Sequence, residues 1–278
     1  MKNAIIIPNY LKEKSLEFSK KAKMLLEEKS YNPIILAENE AFKGKADFAL
    51  VLGGDGTIIR ASKQLYGTDI AVLGINFGNL GYLTECSPET AIDAINKLIS
   101  GDYTIENRLM ISGEIVREGK TIHSFIALNE ASLYRATLMK AFKMEIYINN
   151  KHTNTVLGDG LIIATPTGST SYNLSAGGPI LTPTANNMVI TQIAPFTFPG
   201  TPLVIAGDDV IEIRIKIDNI TKKGNVSMEF DGSESVEIQD GDIIRIQKAE
   251  HNAKIIKVSD RSFYQLLKEK LSKANNEI

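Results

Sequence analysis

The chain has 278 residues, 43% of them hydrophobic and 23% charged, with a formal net charge of -2. This is the composition of an ordinary soluble globular protein, large enough for one large domain or two ordinary ones. It excludes the basic surface of a general nucleic-acid binder, and no segment has the length of a membrane span.

Taken in chain order, the first hundred residues alternate between strand and helix patterns. Ala4 to Ile7 reads as a short buried strand closed by Pro8, too short an apolar run for a signal peptide. Residues 11 to 28 place Leu11, Phe18, Ala22 and Leu25 on one helical face. Pro33 to Leu36 and Phe48 to Leu52 read as further strands. The third strand runs into Gly53-Gly54-Asp55-Gly56-Thr57, followed by a helix-compatible stretch from Ile58 to Leu65. Glycines let the backbone turn tightly and approach a ligand closely, and free N–H groups at a helix start attract phosphate. A carboxylate in such a loop repels phosphate unless it binds a magnesium ion or accepts a proton from an attacking hydroxyl. Asp55 is therefore either a phosphoryl-transfer residue or a helix cap. The loop lacks the Gly-Lys-Ser/Thr of a P-loop and the spacing of a dinucleotide fingerprint.

Ile70 to Ile75 is another strand, and Gly74 to Leu83 is a glycine-rich loop at its carboxyl end, where open α/β sheets bind ligands. Cys86 is the only cysteine, which excludes an intrachain disulfide, fits a reducing cytoplasm, and reads as a partly buried structural thiol. Ser87-Pro88-Glu89 reads as the start of a helix that runs to about Ser100 and stops at Gly101. Strand–helix alternation predicts a parallel sheet with helices on both faces.

From about residue 102 to 258 the dominant period is two. Ile211, Ile213, Ile215 and Ile217 alternate with Glu212, Arg214 and Lys216, and Asp231-Gly232 and Asp240-Gly241 are turn signals. This half is expected to be an antiparallel sheet packed on a second one. Within it, Asn129-Glu130 follows the apolar run Phe125 to Leu128, and a carboxylate there can accept hydrogen bonds from two ribose hydroxyls. Six hydroxyl side chains fall between Thr165 and Tyr172, where Pro166 and Gly168 break any regular element. Such a stretch is either a solvated loop or a site for a flat base and a ribose. The histidines at 123, 152 and 251 show no metal-ligand spacing. Helical spacing returns from about Ser262 to Ser272, a segment expected to pack back on the first domain.

Four segments together resemble the NAD kinase family, in the family's order: Gly53 to Thr57, Gly74 to Leu83, Asn129-Glu130, and Asp159 to Tyr172. Asp231-Gly232 and the stretch from Phe263 to Leu271 are also similar to family features, so the likeness covers nearly the whole chain. The resemblance implies an α/β domain of residues 1–101 plus 260–278, and a β-rich domain of residues 102–259 that forms most of the NAD site. It implies ATP-dependent phosphorylation of the adenosine-ribose 2′-hydroxyl of NAD, with a divalent cation such as Mg2+, in a homo-oligomer that is a dimer or tetramer. Asp55 would accept the hydroxyl proton and help hold magnesium. Gly53, Gly54, Gly56 and Thr57 would form the phosphate loop, with the backbone of Gly56 also near NAD. Asn129 and Glu130 would hold the ribose and neighbouring groups, and Asp159 the nicotinamide end. Thr170, Ser171, Tyr172, Asn173, Leu174 and Ser175 would line the adenine site, Tyr172 offering a stacking face. Arg60 and Lys140 stand where the family often has further ligand contacts.

The chain departs from the pattern after Pro195, where Phe196 to Pro202 lacks the family's His-Ser-Leu-like stretch and its arginine. Leu157-Gly158 stands before Asp159 where the family often has a basic or polar residue. Two other readings compete. A lipid or diacylglycerol-type kinase shares a related glycine loop, but the block from Asp159 to Tyr172 opposes it. A non-catalytic NAD(P)-binding regulator is opposed by the intact Asp55 and glycine loops.

Overall fold

The computed structural model describes residues 2–78, 81–135, 141–196, 200–217 and 226–276. Its elements in chain order begin with β1 (Lys2–Pro8), α1 (Glu13–Glu28), β2 (Tyr31–Ile35), β3 (Phe48–Gly53), α2 (Asp55–Gln64), β4 (Val72–Asn76), α3 (Ala91–Ser100) and β5 (Thr104–Arg108). There follow β6 (Ile111–Arg117), β7 (Lys120–Ala127), β8 (Glu130–Arg135), β9 (Phe142–Ile148), β10 (Lys151–Gly158) and β11 (Gly160–Ala164). A short 3-10 turn at Gly168–Thr170 leads to α4 (Tyr172–Ser175), β12 (Asn187–Ile193), β13 (Leu203–Ala206) and β14 (Ile211–Lys216). The chain ends with β15 (Val226–Phe230), β16 (Glu234–Ile238), β17 (Ile243–Lys248), β18 (Ala253–Lys257) and α5 (Phe263–Asn276).

Two compact units result, Met1–Asn107 with Ala253–Ile278, and Arg108–Asn252. The first holds a sheet of order β2-β1-β3-β4-β18-β5. The pairs β1–β2, β1–β3, β3–β4 and β4–β18 are parallel. A parallel sheet is covered on both faces, and β3 and β4 are accordingly buried throughout. Ala22 and Leu26 of α1 and Ala91, Ile95 and Leu98 of α3 pack against Leu50, Leu52, Leu73 and Ile75.

The second unit is a sandwich of two six-stranded sheets, β10-β9-β14-β17-β6-β7 and β13-β12-β11-β8-β15-β16, and all their assigned pairs are antiparallel. The alternating isoleucines of β14 point inward, with Ile211, Ile213 and Ile215 fully buried beside Phe142, Met228 and Phe230. Burying each such side chain contributes roughly 1.5–3 kcal/mol.

The strands β5 and β18 hydrogen-bond into the first sheet; period-two patterning cannot say which sheet a strand joins. The structure departs from sequence expectation in the helices. Leu11 lies before α1 and is 84% exposed. The buried face of α1 instead includes Ser15, whose hydroxyl donates to the carbonyl of Leu52 at 2.8 Å, and Ser19, Ala22 and Leu26. The third helix starts at Ala91 and not at Ser87, which accepts the N–H of Thr90 in a preceding turn. The closing helix α5 belongs to the first unit, where Leu266 is buried and Phe263 packs on Tyr82.

Candidate active site

In the first unit, the carboxyl ends of β1, β3 and β4 bring three loops together. Asn9 Nδ2 donates to Thr57 Oγ1 at 3.2 Å, and the N–H of Phe77 donates to the carbonyl of Gly53 at 2.8 Å. Lys12 Nζ reaches across to the carbonyl of Phe77 at 3.1 Å, placing a cation at this edge. Helix α2 begins earlier than its apolar pattern suggested, so Asp55 and Gly56 lie in its first turn and Gly54 at its cap. Asp55 therefore does not cap the helix. Its carboxylate accepts the backbone N–H of Tyr82 at 2.6 Å and of Leu83 at 3.0 Å. A Cβ on Gly81 would stand 1.8 Å from Asp55 Oδ1, so only glycine allows the second loop this close. Burial first, and the negative charge of Asp55 second, hold the Tyr82 phenol above its ordinary pKa.

Arg60, one turn further along α2, pairs with Glu38 at 3.3 Å on the surface. On the face that carries α1 and α3, a cleft of about 460 Å³ is lined by Lys14, Phe18, Lys21, Phe77 and Ser87. Burial first, and the charge of Glu85 second, push the Cys86 thiol up to about 12.

In the second unit, the turn between β7 and β8 is held from every side. The carboxylate of Asp231 accepts the N–H groups of Leu128, Asn129 and Glu130 at 3.0, 2.7 and 3.1 Å. Thr165 supplies its N–H to the carbonyl of Asn129 at 2.8 Å and its hydroxyl to that of Leu128 at 2.5 Å. Gly168 packs so tightly that a Cβ would lie 2.1 Å from the Asn129 carbonyl oxygen. Glu130 is only 7% exposed, and Ser171 Oγ donates to its Oε1 at 3.1 Å. Burial is the main reason its carboxyl is raised to about 7; the Ser171 hydrogen bond opposes the shift and the charge of Asp231 adds to it. Asn129 Oδ1, Glu130 Oε2 and Thr167 Oγ1 are buried with no hydrogen-bond partner in the protein. Buried acceptors are rarely left so unless something else supplies the donor.

The other expected site residues divide. Tyr172 is 42% exposed, with Thr170, Ser171, Leu174 and Ser175 on the same short segment. Asn173 is fully buried and spent on the fold: its amide donates to the carbonyls of Ser169 and Pro179, and its oxygen accepts the Thr191 hydroxyl. The bond to Thr191 ties this segment to β12. Asp159 Oδ1 lies 2.6 Å from Arg135 Nη2, so its charge is balanced within the protein. Lys140 and the stretch Thr197-Phe198-Pro199 lie outside the described residues.

Comparison with known proteins matches this arrangement. Residues 5–103 match the ATP-NAD kinase N-terminal domain and residues 128–258 the ATP-NAD kinase C-terminal domain. The chain is 36% identical over 282 residues to the NAD kinase of Lachnoclostridium phytofermentans, covering 97% of this chain and 99% of that one. The chain belongs to the NAD kinase family. Another member, from Carboxydothermus hydrogenoformans, is 39% identical over 240 residues, 86% of this chain and 84% of that one. The fold is that of an NAD kinase from Archaeoglobus fulgidus solved in complex with ATP, with TM-score 0.78, 26% identity, and coverage of 98% and 99%. It is also that of yeast NADH kinase complexed with NADH, with TM-score 0.86, 21% identity, and coverage of 98% and 88%.

Asn9, Lys12 and Arg135 were not anticipated from sequence. Lys12 sits only four residues after β1, and a cation just beyond a strand that feeds a glycine-loop sheet was the available signal. The bond from Asp231 to Asn129 spans 102 residues of sequence and has no local signature.

Proposed function

We propose that this member of the NAD kinase family transfers the γ-phosphoryl group of ATP to the adenosine-ribose 2′-hydroxyl of NAD, giving NADP and ADP. The observation that carries this reading is the pairing of family membership with a half-exposed Asp55 in the first turn of α2, within a glycine loop. The loop from Gly53 to Thr57 receives the phosphates at the positive end of the helix, with the N–H of Thr57 already given to the carbonyl of Gly54 at 2.9 Å. Asp55 accepts the proton of the 2′-hydroxyl as that oxygen bonds to the γ-phosphorus and the bond to the departing ADP oxygen breaks. Asn129 and Glu130 hold the ribose, Tyr172 stacks on the adenine, and Asp159 orients the nicotinamide end. Lys140 and Arg60 stand as further contacts by family pattern alone, Arg60 having to leave Glu38.

A magnesium ion fits this site, since such ions are commonly held by one or two carboxylates together with substrate phosphates. Asp55 is the carboxylate in position, with two backbone donors on it and lone pairs remaining. The ion would neutralise charge that develops on the phosphates. Among the described residues no helix is long and apolar enough to cross a membrane, and we place the enzyme in the cytoplasm. We also expect a homo-oligomer, supported by Leu203 and Val204 exposed on the edge strand β13.

The test is formation of NADP by the purified protein from NAD, ATP and magnesium, with each omitted in turn. Product that needs all three is the expected result. NAD binding without product would favour a binding regulator, and turnover of a long-chain alcohol would favour the lipid-kinase reading.

A further inference from the structure

We propose that Asp231 is a positioning residue for NAD, acting through the Leu128–Glu130 turn without touching the substrate. The proposal rests on the functional reading above and adds a residue to it.

The argument is an account of hydrogen bonds. The three N–H groups of Leu128, Asn129 and Glu130 all go to one carboxylate. The carbonyl of Glu130 accepts the N–H of Asp231 itself at 3.0 Å, and the carbonyls of Leu128 and Asn129 accept from Thr165. Every backbone polar group of the tripeptide is thus committed to holding its shape. What remains without a protein partner is on the side chains, Asn129 Oδ1 and Glu130 Oε2. A framework that satisfies the backbone completely and leaves side-chain acceptors unmet is a site formed before its ligand arrives.

Asp231 reaches the turn from the hairpin between β15 and β16, where its φ is +53°, a left-handed conformation that aspartate adopts readily in such turns. Successive backbone N–H groups aimed at one anion also form a concave positive site that an uncharged side chain fills poorly.

The experiment compares Asp231→Asn and Asp231→Ala with the wild type, measuring KM for NAD, KM for ATP and kcat. Asp231→Ala is expected to raise KM for NAD tenfold or more with KM for ATP unchanged. Asp231→Asn, which keeps one acceptor oxygen, is expected to fall between. Combined with Glu130→Gln, Asp231→Ala is expected to raise KM for NAD by less than the product of the single effects, because both act on one turn. A purely structural role would lower the folded fraction, leaving both KM values alone in the molecules that remain, and multiplicative effects would equally overturn the proposal. If Asp231→Ala does not fold, the KM split of Asp231→Asn decides by itself. NAD affinity by calorimetry separates the two readings. Wild-type protein that binds NAD without making NADP removes the kinase reading, while the loss of affinity in Asp231→Asn still supports the positioning role. An unchanged affinity removes it.

Discussion

Asp55 in the first unit and Asp231 in the second do the same local chemistry to different ends. Both are aspartates whose carboxylates take backbone N–H groups of a distant loop, two for Asp55 and three for Asp231. Asp55 is half-buried at the head of a helix and has capacity left for a substrate proton or a cation. Asp231 is spent on the turn, and the unmet hydrogen-bonding capacity lies on Asn129 and Glu130 instead. On the proposed function, the difference separates a group that reacts from one that holds the binding residues in place. Substitutions at the first are therefore expected to change kcat, and at the second to change NAD affinity.

The largest effect is expected at Asp55. Asp55→Asn removes the proposed proton acceptor and leaves one acceptor oxygen for the N–H groups of Tyr82 and Leu83, and kcat should fall by about 10²–10⁴-fold, read in a coupled NADP assay. Next come the two glycines that let each aspartate's loop approach. Gly81→Ala would drive a methyl group into Asp55 Oδ1, and a carboxylate displaced by about 1 Å should cost on the order of 10²-fold in kcat. Gly168→Ala would press instead on the Asn129 backbone. It should raise KM for NAD and lower Tm while sparing KM for ATP. The same defect from both glycines would break the comparison.

A smaller and pH-dependent effect is expected at Glu130. Its folded-state pKa of about 7 lies above the ordinary value of 4.5. The stability this shift provides is complete below about pH 4.5 and is lost as pH rises through 7. Glu130→Gln does not titrate, so wild-type stability relative to this variant should decline across that window by up to about 3 kcal/mol. Denaturant melts at pH 4.5 and pH 8 would measure it, and a constant difference would mean that Glu130 titrates normally. The smallest effect is expected at Tyr172. Removing a stacking ring in Tyr172→Ala should cost about 1 kcal/mol of NAD binding, a several-fold rise in KM with kcat unchanged.

Much of this was legible in the sequence, and the reasons for the rest are physical. The alternation around Ile213 and the strand–helix rhythm of the first hundred residues fix fold class because burial imposes periods of two and 3.6. The glycine loop, the Asn129-Glu130 pair and the hydroxyl-rich segment stood out by composition. The destination of β5 and β18 did not, because strand pairing is a long-range choice. Ser15 and Ser19 hid the buried face of α1, since a polar residue whose hydroxyl finds a backbone carbonyl is as acceptable inside as an apolar one. The bonds that tie Asn173 to Ser169, Pro179 and Thr191 were not legible, because its partners lie 4 to 18 residues away with no local signature.

The most direct test of the division between reacting and binding groups is the NAD affinity of Asp55→Asn and of Glu130→Gln, measured side by side by calorimetry without ATP. The account predicts an Asp55→Asn affinity within about twofold of wild type, and a Glu130→Gln affinity reduced roughly tenfold or more, as expected for a lost charge-assisted contact. NAD binding that collapses in Asp55→Asn and survives in Glu130→Gln would contradict it.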